Sequence, residues 1–299
     1  MDQKDWAGVF PAITTPFQAG LSVDYETFGA QARWMVDCGC NGIVALGSLG
    51  ESPALTSPEK LELLKQAMRS LDGKAPVIAG ISAFSTAEAV WLAQEAHRVG
   101  VDGLMVLPPL VYRGDWRETR AHLSAIFQAT PLTAMLYNNP IAYGTDILPE
   151  QIIELRARHP NFHAVKESSG EIRRITSLIH LAGGSLEIFV GMDDVVVESV
   201  AAGATGWIAG LVNAFPEESV RLFKLAQNGP SPELATLYAW FLPLLRLDTV
   251  PKFVQLIKRV QEECGGPSAR VRPPRLELEG AEQEQVAALT RKSLASCPR

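Results

Sequence analysis

Eight short runs rich in apolar, β-branched and aromatic residues recur between Gly8 and Asp193 and on to Val212. They are "GVFPAITTP" (8–16), "GIVALGS" (42–48), "PVIAGIS" (76–82), "GLMVLPP" (103–109), "TAMLYNN" (133–139), "FHAVKES" (162–168), "EIFVGMD" (187–193) and "GWIAGLV" (206–212). Each has a strand's length and is nearly continuous in apolar character, which predicts strands buried on both faces. Between them lie segments with helical stripes and boundary signals. "SPEKLELLKQAM" offers Ser57 as N-cap and Pro58 at the first helical position, with Leu61, Leu64 and Met68 on one face. "STAEAVWLAQEAHRVG" has Ser85 and Glu88 at capping-box spacing and closes on Gly100. "GEIRRITSLIHLAGG" puts Ile172, Ile175, Leu178 and Ile179 on one stripe and stops at a glycine pair.

Strands alternating with helices predict a parallel sheet covered on both sides, and eight of them predict closure into a (β/α)8 TIM barrel. A doubly wound open sheet is the competing architecture, but no Gly-x-Gly-x-x-Gly follows an early strand. From Phe215 onward only helical patterns remain, as in "PEESVRLFKLAQNG", "SPELATLYAWFLPLLRL", "VPKFVQLIKRVQEECGG" and "GAEQEQVAALTRKSLASC". The expected organisation is a barrel over 1–214 and a C-terminal helical extension over 215–299 that packs on it.

Composition narrows the partners. The chain has 299 residues, 47% of them hydrophobic, and a net charge of −6, enough for one large core. Its basic residues are scattered, which argues against a nucleic-acid or membrane surface and leaves small molecules. No run reaches a membrane span and the start shows no signal-peptide pattern, so a cytoplasmic enzyme is expected. Cys38, Cys40, Cys264 and Cys297 form neither a disulfide framework nor a zinc pair and read as reduced thiols.

In a barrel, chemistry belongs at the C-terminal ends of the strands. Those ends carry the turn Gly47-Ser48-Leu49-Gly50-Glu51, then Tyr137-Asn138-Asn139, Lys166-Glu167-Ser168 and Gly191-Met192-Asp193-Asp194. Three uses are open to Lys166: a desolvated amine nucleophile, an ion-pair partner for a neighbouring carboxylate, or a phosphate ligand. Tyr137 is either an acid/base beside it or core. The "GSLGES" turn supplies backbone N–H groups and the Ser48 hydroxyl, enough to cradle a carboxylate, and lacks the Lys-Ser/Thr ending of a P-loop. Tyr143, Asn139 and Asn213 are candidate contacts for substrate hydroxyls, and Trp207 beside Ile208 reads as barrel packing. Asp193-Asp194 would either hold Mg2+ or cap a helix. His159 and His163 stand four apart, but Pro160 breaks any helix that would align them as ligands. No metal is expected.

"GSLGE" (47–51), "YNNP" (137–140), "VKESSG" (165–170) and "GATGWIAGLVN" (203–213), in this order, resemble the Schiff-base lyase family of dihydrodipicolinate synthase and N-acetylneuraminate lyase. The resemblance implies a homotetramer of barrels acting on a small 2-oxo acid or cyclic imine carboxylate, with no cofactor beyond the covalent Schiff base. It implies that Lys166 forms that Schiff base and that Tyr137 moves protons. Ser48 and the N–H of Leu49 would hold the carboxylate, with Gly47, Asn139, Tyr143, Ser168, Gly191 and Ile208 completing the substrate site.

The chain also departs from the family's synthases. It has Leu49 where they carry a second threonine, Leu110 where they present a tyrosine to a neighbouring subunit, and Ala142 where they carry an arginine. Tyr112 would compensate for Leu110 only if its loop shifts. With "GSLGESPALT", "YNNPIAYGTDILPE" and "VRPPRLELEG", the chain is most similar to the branch that includes 1-pyrroline-4-hydroxy-2-carboxylate deaminase. The expected reaction is therefore conversion of that imine to 2-oxoglutarate semialdehyde and ammonia. Dehydration of a 2-oxo-3-deoxy sugar acid and a pyruvate-dependent aldol reaction are the alternatives.

Overall fold

The computed structural model describes residues 1–298. Strands β1 (Gly8–Pro11), β2 (Ile43–Ala45), β3 (Val77–Ile81), β4 (Gly103–Val106), β5 (Thr133–Asn138), β6 (Phe162–Glu167), β7 (Glu187–Val190) and β8 (Gly206–Ala209) fall one inside each predicted run. They form one parallel sheet in the order β1-β8-β7-β6-β5-β4-β3-β2. Ala12, just past β1, bridges Val44 on β2 and closes the ring, so the chain is a (β/α)8 barrel.

Helices α1 (Tyr25–Asp37), α2 (Ser57–Leu71), α3 (Thr86–Val99), α4 (Trp116–Gln128), the short α5 (Pro140–Tyr143), α6 (Pro149–Arg158), α7 (Ile172–Ala182), α8 (Val196–Ala201) and α9 (Pro216–Gln227) follow the strands. After them come α10 (Pro232–Leu245), α11 (Phe253–Glu263) and α12 (Gly280–Ala295). Ser85 caps α3 by accepting from Glu88 N at 3.2 Å, and Gly100 and Gly183 end α3 and α7 at φ +93° and +54°, as the sequence predicts, but the reciprocal half of the capping box is absent because the Glu88 carboxylate accepts from Phe84 N.

The start of α2 differs from expectation. Thr56 rather than Ser57 is its N-cap: the Glu59 carboxylate accepts from Thr56 N at 2.8 Å, and Pro58 stands one step further in. Its buried face is also rotated to Leu63, Leu64, Ala67 and Leu71, with Leu61 and Met68 only partly covered. The helix packs against α1 and α3 as well as against β2 and β3, which widens and shifts the apolar stripe.

Register decides which side chains enter the barrel. Tyr137 pairs with Lys166 across β5 and β6, Lys166 with Phe189 across β6 and β7, and Phe189 with Gly206 across β7 and β8. Register partners share a face, so all these side chains point inward. Phe189 packs edge-on against Phe10 and Trp6, with ring centroids 5.7 and 6.1 Å away, and this aromatic plug forms a floor below Lys166. Gly206 makes room for it, since a Cβ there would lie 2.2 Å from the Phe189 ring. Burial pushes the Cys40 thiol up to about 12, which makes it an inert core group. Among the described residues no helix is long and apolar enough to cross a membrane.

Candidate active site

The C-terminal ends of the strands open into a cavity of about 400 Å3. Gly47, Ser48 and Leu49 line it beyond β2, Tyr137, Asn139 and Tyr143 at and beyond β5, and Lys166, Gly191 and Ile208 at β6, β7 and β8. Nine of the ten site residues that the family resemblance implies therefore meet here. Ser168 stands behind the wall, fully buried against Gly191. A hollow of about 530 Å3 at the opposite pole carries the charged side chains Lys4, Asp5 and Lys74, all exposed.

Lys166 is 6% exposed, with Nζ 4.1 Å from the centroid of the Tyr137 ring. Burial pulls its pKa down from 10.5 to about 8, against the opposing pull of Asp248 and Asp193. The stem lies flat on Gly191, where a Cβ would come within 2.5 Å of Lys166 Cε and 1.9 Å of Ser168 Oγ. Only glycine fits that position. Burial pushes the Tyr137 phenol up to about 12, and Asn139 Nδ2 donates to its hydroxyl at 2.9 Å, so it holds its proton at neutral pH. Ser168 Oγ falls short of a hydrogen bond to any described residue, yet lies close enough to the Tyr137 hydroxyl to oppose that upward push.

The turn beyond β2 is shaped by left-handed residues at both ends, Leu46 at φ +63° and Glu51 at φ +56°. The N–H groups of Ser48 and Leu49 donate to no described residue, and Ser48 Oγ is hydrogen-bonded to the Tyr143 hydroxyl. Adjacent free N–H groups beside a hydroxyl make a seat for one carboxylate. Behind the turn the buried Glu51 carboxylate accepts from Lys258 Nζ on α11 at 2.5 Å and from Arg272 N at 3.0 Å.

Several strand-end residues serve the scaffold instead. Asn213 donates to the carbonyls of Ala12 and Gly210, both at 2.8 Å, and accepts from Thr14 N, so it is a tie between strands and meets no substrate. Asp193 accepts from Trp207 Nε1 at 2.9 Å and from the N–H groups of Gly210 and Leu211 at 3.1 and 2.8 Å. It fastens β7 to the turn after β8 rather than capping the helix that follows it, and burial lifts its pKa to about 6. Trp207 is fully buried outside the cavity. His159 and His163 are taken up by Ser124 and Thr133.

Two charged groups in the cavity wall escaped the sequence reading. Asp248 lies between α10 and α11, and Arg275 lies between α11 and α12, 4.0 Å from Glu51 Oε2. Neither stands at a strand end, and although Arg275 lies in "VRPPRLELEG" (271–280), nothing in that stretch ties it to the barrel mouth. Their role becomes visible only once the extension is seen to fold back over the barrel mouth.

A buried lysine and a phenol facing each other from adjoining strands of a barrel match a known family. The Dihydrodipicolinate synthetase family model matches residues 5–293. The chain belongs to the dihydrodipicolinate synthetase family. As a member it is a lysine Schiff-base lyase. The 4-hydroxy-tetrahydrodipicolinate synthase of Moorella thermoacetica is 30% identical over 288 residues, covering 96% of this chain and 98% of that one. Dihydrodipicolinate synthase from Aquifex aeolicus superposes with a TM-score of 0.92 at 27% identity, over 98% of this chain and 99% of that one. A prophage protein of the same family from E. coli K12, solved in complex with pyruvate, superposes with a TM-score of 0.91 at 25% identity, over 97% and 99%.

Proposed function

We propose that this family member is a Schiff-base deaminase that converts 1-pyrroline-4-hydroxy-2-carboxylate to 2-oxoglutarate semialdehyde and ammonia. The observation that carries the reading is a site with the lysine and tyrosine in place but apolar side chains at two positions where the synthases carry polar ones. Leu49 and Ala142 line the cavity where the resemblance to synthases implies a threonine and an arginine. Tyr112, the candidate stand-in for the intersubunit tyrosine at Leu110, is 60% exposed and donates to the Glu118 carboxylate of its own chain at 3.0 Å.

In this reading the free N–H groups of Ser48 and Leu49 hold the substrate carboxylate, with Arg275 adding positive charge to that side. The Lys166 amine attacks C2, and the bond from C2 to the ring nitrogen breaks, leaving a primary amine on C5. The protonated Schiff base is the electron sink, so no metal or organic cofactor is required. A C3 proton leaves, the C4 hydroxyl departs as water with a proton from Tyr137, and tautomerisation moves an imine to C5. Hydrolysis of both imines consumes two waters and releases ammonia, the semialdehyde and Lys166.

The names of the relatives favour a second reading, the synthase, and the alternatives of sugar acid dehydratase and pyruvate aldolase share the same adduct. One comparison separates them. The purified protein is given the pyrroline, a 2-oxo-3-deoxy sugar acid, and pyruvate with either aspartate semialdehyde or another aldehyde, and ammonia and products are followed. Ammonia from the pyrroline at the highest kcat/KM is the expected result; a faster condensation with aspartate semialdehyde would overturn it.

The protein is further read as a cytoplasmic homotetramer. Phe84, Val111 and Tyr112 on the loops after β3 and β4, and Ile141 on α5 after β5, each at least 60% exposed, support an interface on that rim. Light scattering after size exclusion tests the assembly.

A further inference from the structure

Asp248 sits in the turn Arg246–Thr249, outside the barrel's own strands, and its carboxyl enters the Lys166 cavity. Its place is set by Gly210, where a Cβ would lie 2.1 Å from Asp248 Oδ1. The carboxyl thus rests on a glycine as the Lys166 stem rests on Gly191. Every polar tie that immobilises Asp193 is missing at Asp248, which forms no hydrogen bond or ion pair with any described residue. Around the ring, Tyr137 is on β5, Lys166 on β6, and Gly210 follows β8. Lys166 therefore has a phenol on one flank and an unengaged carboxyl on the other.

We propose that Asp248 is the second proton-carrying catalytic residue of this site, acting on the side of the Lys166 adduct opposite Tyr137. The proposal rests on Lys166 forming the Schiff base. Burial first, and then the neighbouring Asp193 charge, raise the Asp248 carboxyl well above its ordinary range, which suits it to carry a proton in the site. When the Lys166 amine has added to a 2-oxo carbon, the carbinolamine hydroxyl takes the Asp248 proton and leaves as water. The nitrogen lone pair closes the C=N bond, and the new carboxylate faces the iminium charge. That carboxylate then removes a C3 proton; the C–H pair becomes the C2–C3 double bond, the C=N pair returns to nitrogen, and the acid is restored. The cycle needs no oxidant or reductant.

Pyruvate is a probe for this cycle that does not depend on the proposed substrate. The full-length wild type, Asp248→Asn and Asp248→Ala are incubated with pyruvate in D2O. Borohydride trapping is read by intact mass, and methyl deuteration is read by NMR. The expected result is a Lys166 adduct in all three proteins, with methyl exchange slowed about 100-fold or more in Asp248→Asn. Formate, entering the space vacated in Asp248→Ala, should restore exchange there and leave the wild type unchanged. Exchange near the wild-type rate in either variant overturns the role of Asp248 while leaving Lys166 intact. Slow exchange that formate does not restore, in a variant with wild-type circular dichroism, reduces Asp248 to a structural group and also overturns the proposal. If Asp248→Asn does not fold, the formate response of Asp248→Ala decides. A wild type with no adduct overturns both Asp248 and the Schiff-base assignment.

Discussion

Lys258 on α11 donates to the Glu51 carboxylate at 2.5 Å, with 2% and 0% of the two side chains exposed. The anion seat beyond β2 is thereby fastened to the C-terminal extension through a charge pair that never meets water. Burial draws Lys258 down to about 8 even with Glu51 beside it, so desolvation is the larger effect.

Replacing Lys258 by Met leaves Glu51 buried without its main counter-charge. A loss of about 3–5 kcal/mol in urea unfolding is expected. Adding Glu51→Gln should recover much of that loss. If the single and double variants unfold at the same midpoint, the pair does not clamp the turn.

Lys166→Met should abolish the borohydride adduct and stabilise the fold. With a folded pKa of about 8 against 10.5 unfolded, the native state resists the proton. The cost is present in full below pH 8 and is relieved as pH rises from 8 to 10.5. At pH 7 it is on the order of 3 kcal/mol. The melting temperature of Lys166→Met should exceed the wild type at pH 7 and converge with it above pH 10; a lower value at pH 7 would contradict a desolvated amine.

Gly191→Ala tests the contact that sets the lysine stem. A methyl within 2.5 Å of Lys166 Cε and 1.9 Å of Ser168 Oγ must displace both side chains. Trapping with pyruvate is expected to slow by about two orders of magnitude, the scale of a small misplacement of a reacting group. Wild-type trapping in this variant would show that the lysine does not depend on the glycine.

Arg272 donates to both Glu59 oxygens, at 2.8 and 2.9 Å, and this hydrogen bonding holds Glu59 at about 2. A carboxylate so depressed contributes stability that is full above pH 4.5 and is lost as pH falls through 2. Arg272→Gln should flatten the acid limb of the unfolding midpoint between those values. It should also lower the midpoint at pH 7, because Arg272 serves the carbonyls of Leu21 and Ala54 as well, at 2.6 and 3.0 Å. An unchanged acid limb would mean the pair does not persist in solution.

The barrel was readable because a strand buried on both faces leaves an uninterrupted apolar run, and all eight such runs contain a strand. Lys166, Tyr137 and the turn at Gly47 were found for the same reason: they are the polar residues that end those runs. Thr56 was missed because three consecutive residues, Thr56-Ser57-Pro58, all satisfy start signals, and only the reciprocal bond with Glu59 chooses among them. Asn213 looked like a substrate contact since a strand-end amide has the same appearance whether it faces ligand or carbonyls. Asp248 had no local signal, and Arg275 stood in "VRPPRLELEG" with nothing to link it to the site, because a residue reaches this cavity from the extension through tertiary folding alone.

Lys258, Asp248 and Arg275 are all made after β8 has been synthesised. A growing chain on the ribosome that has exposed every strand still has Glu51 without its buried partner and a cavity open on one side. The order of synthesis thus leaves the mouth of the cavity to be completed last, by residues that follow every strand.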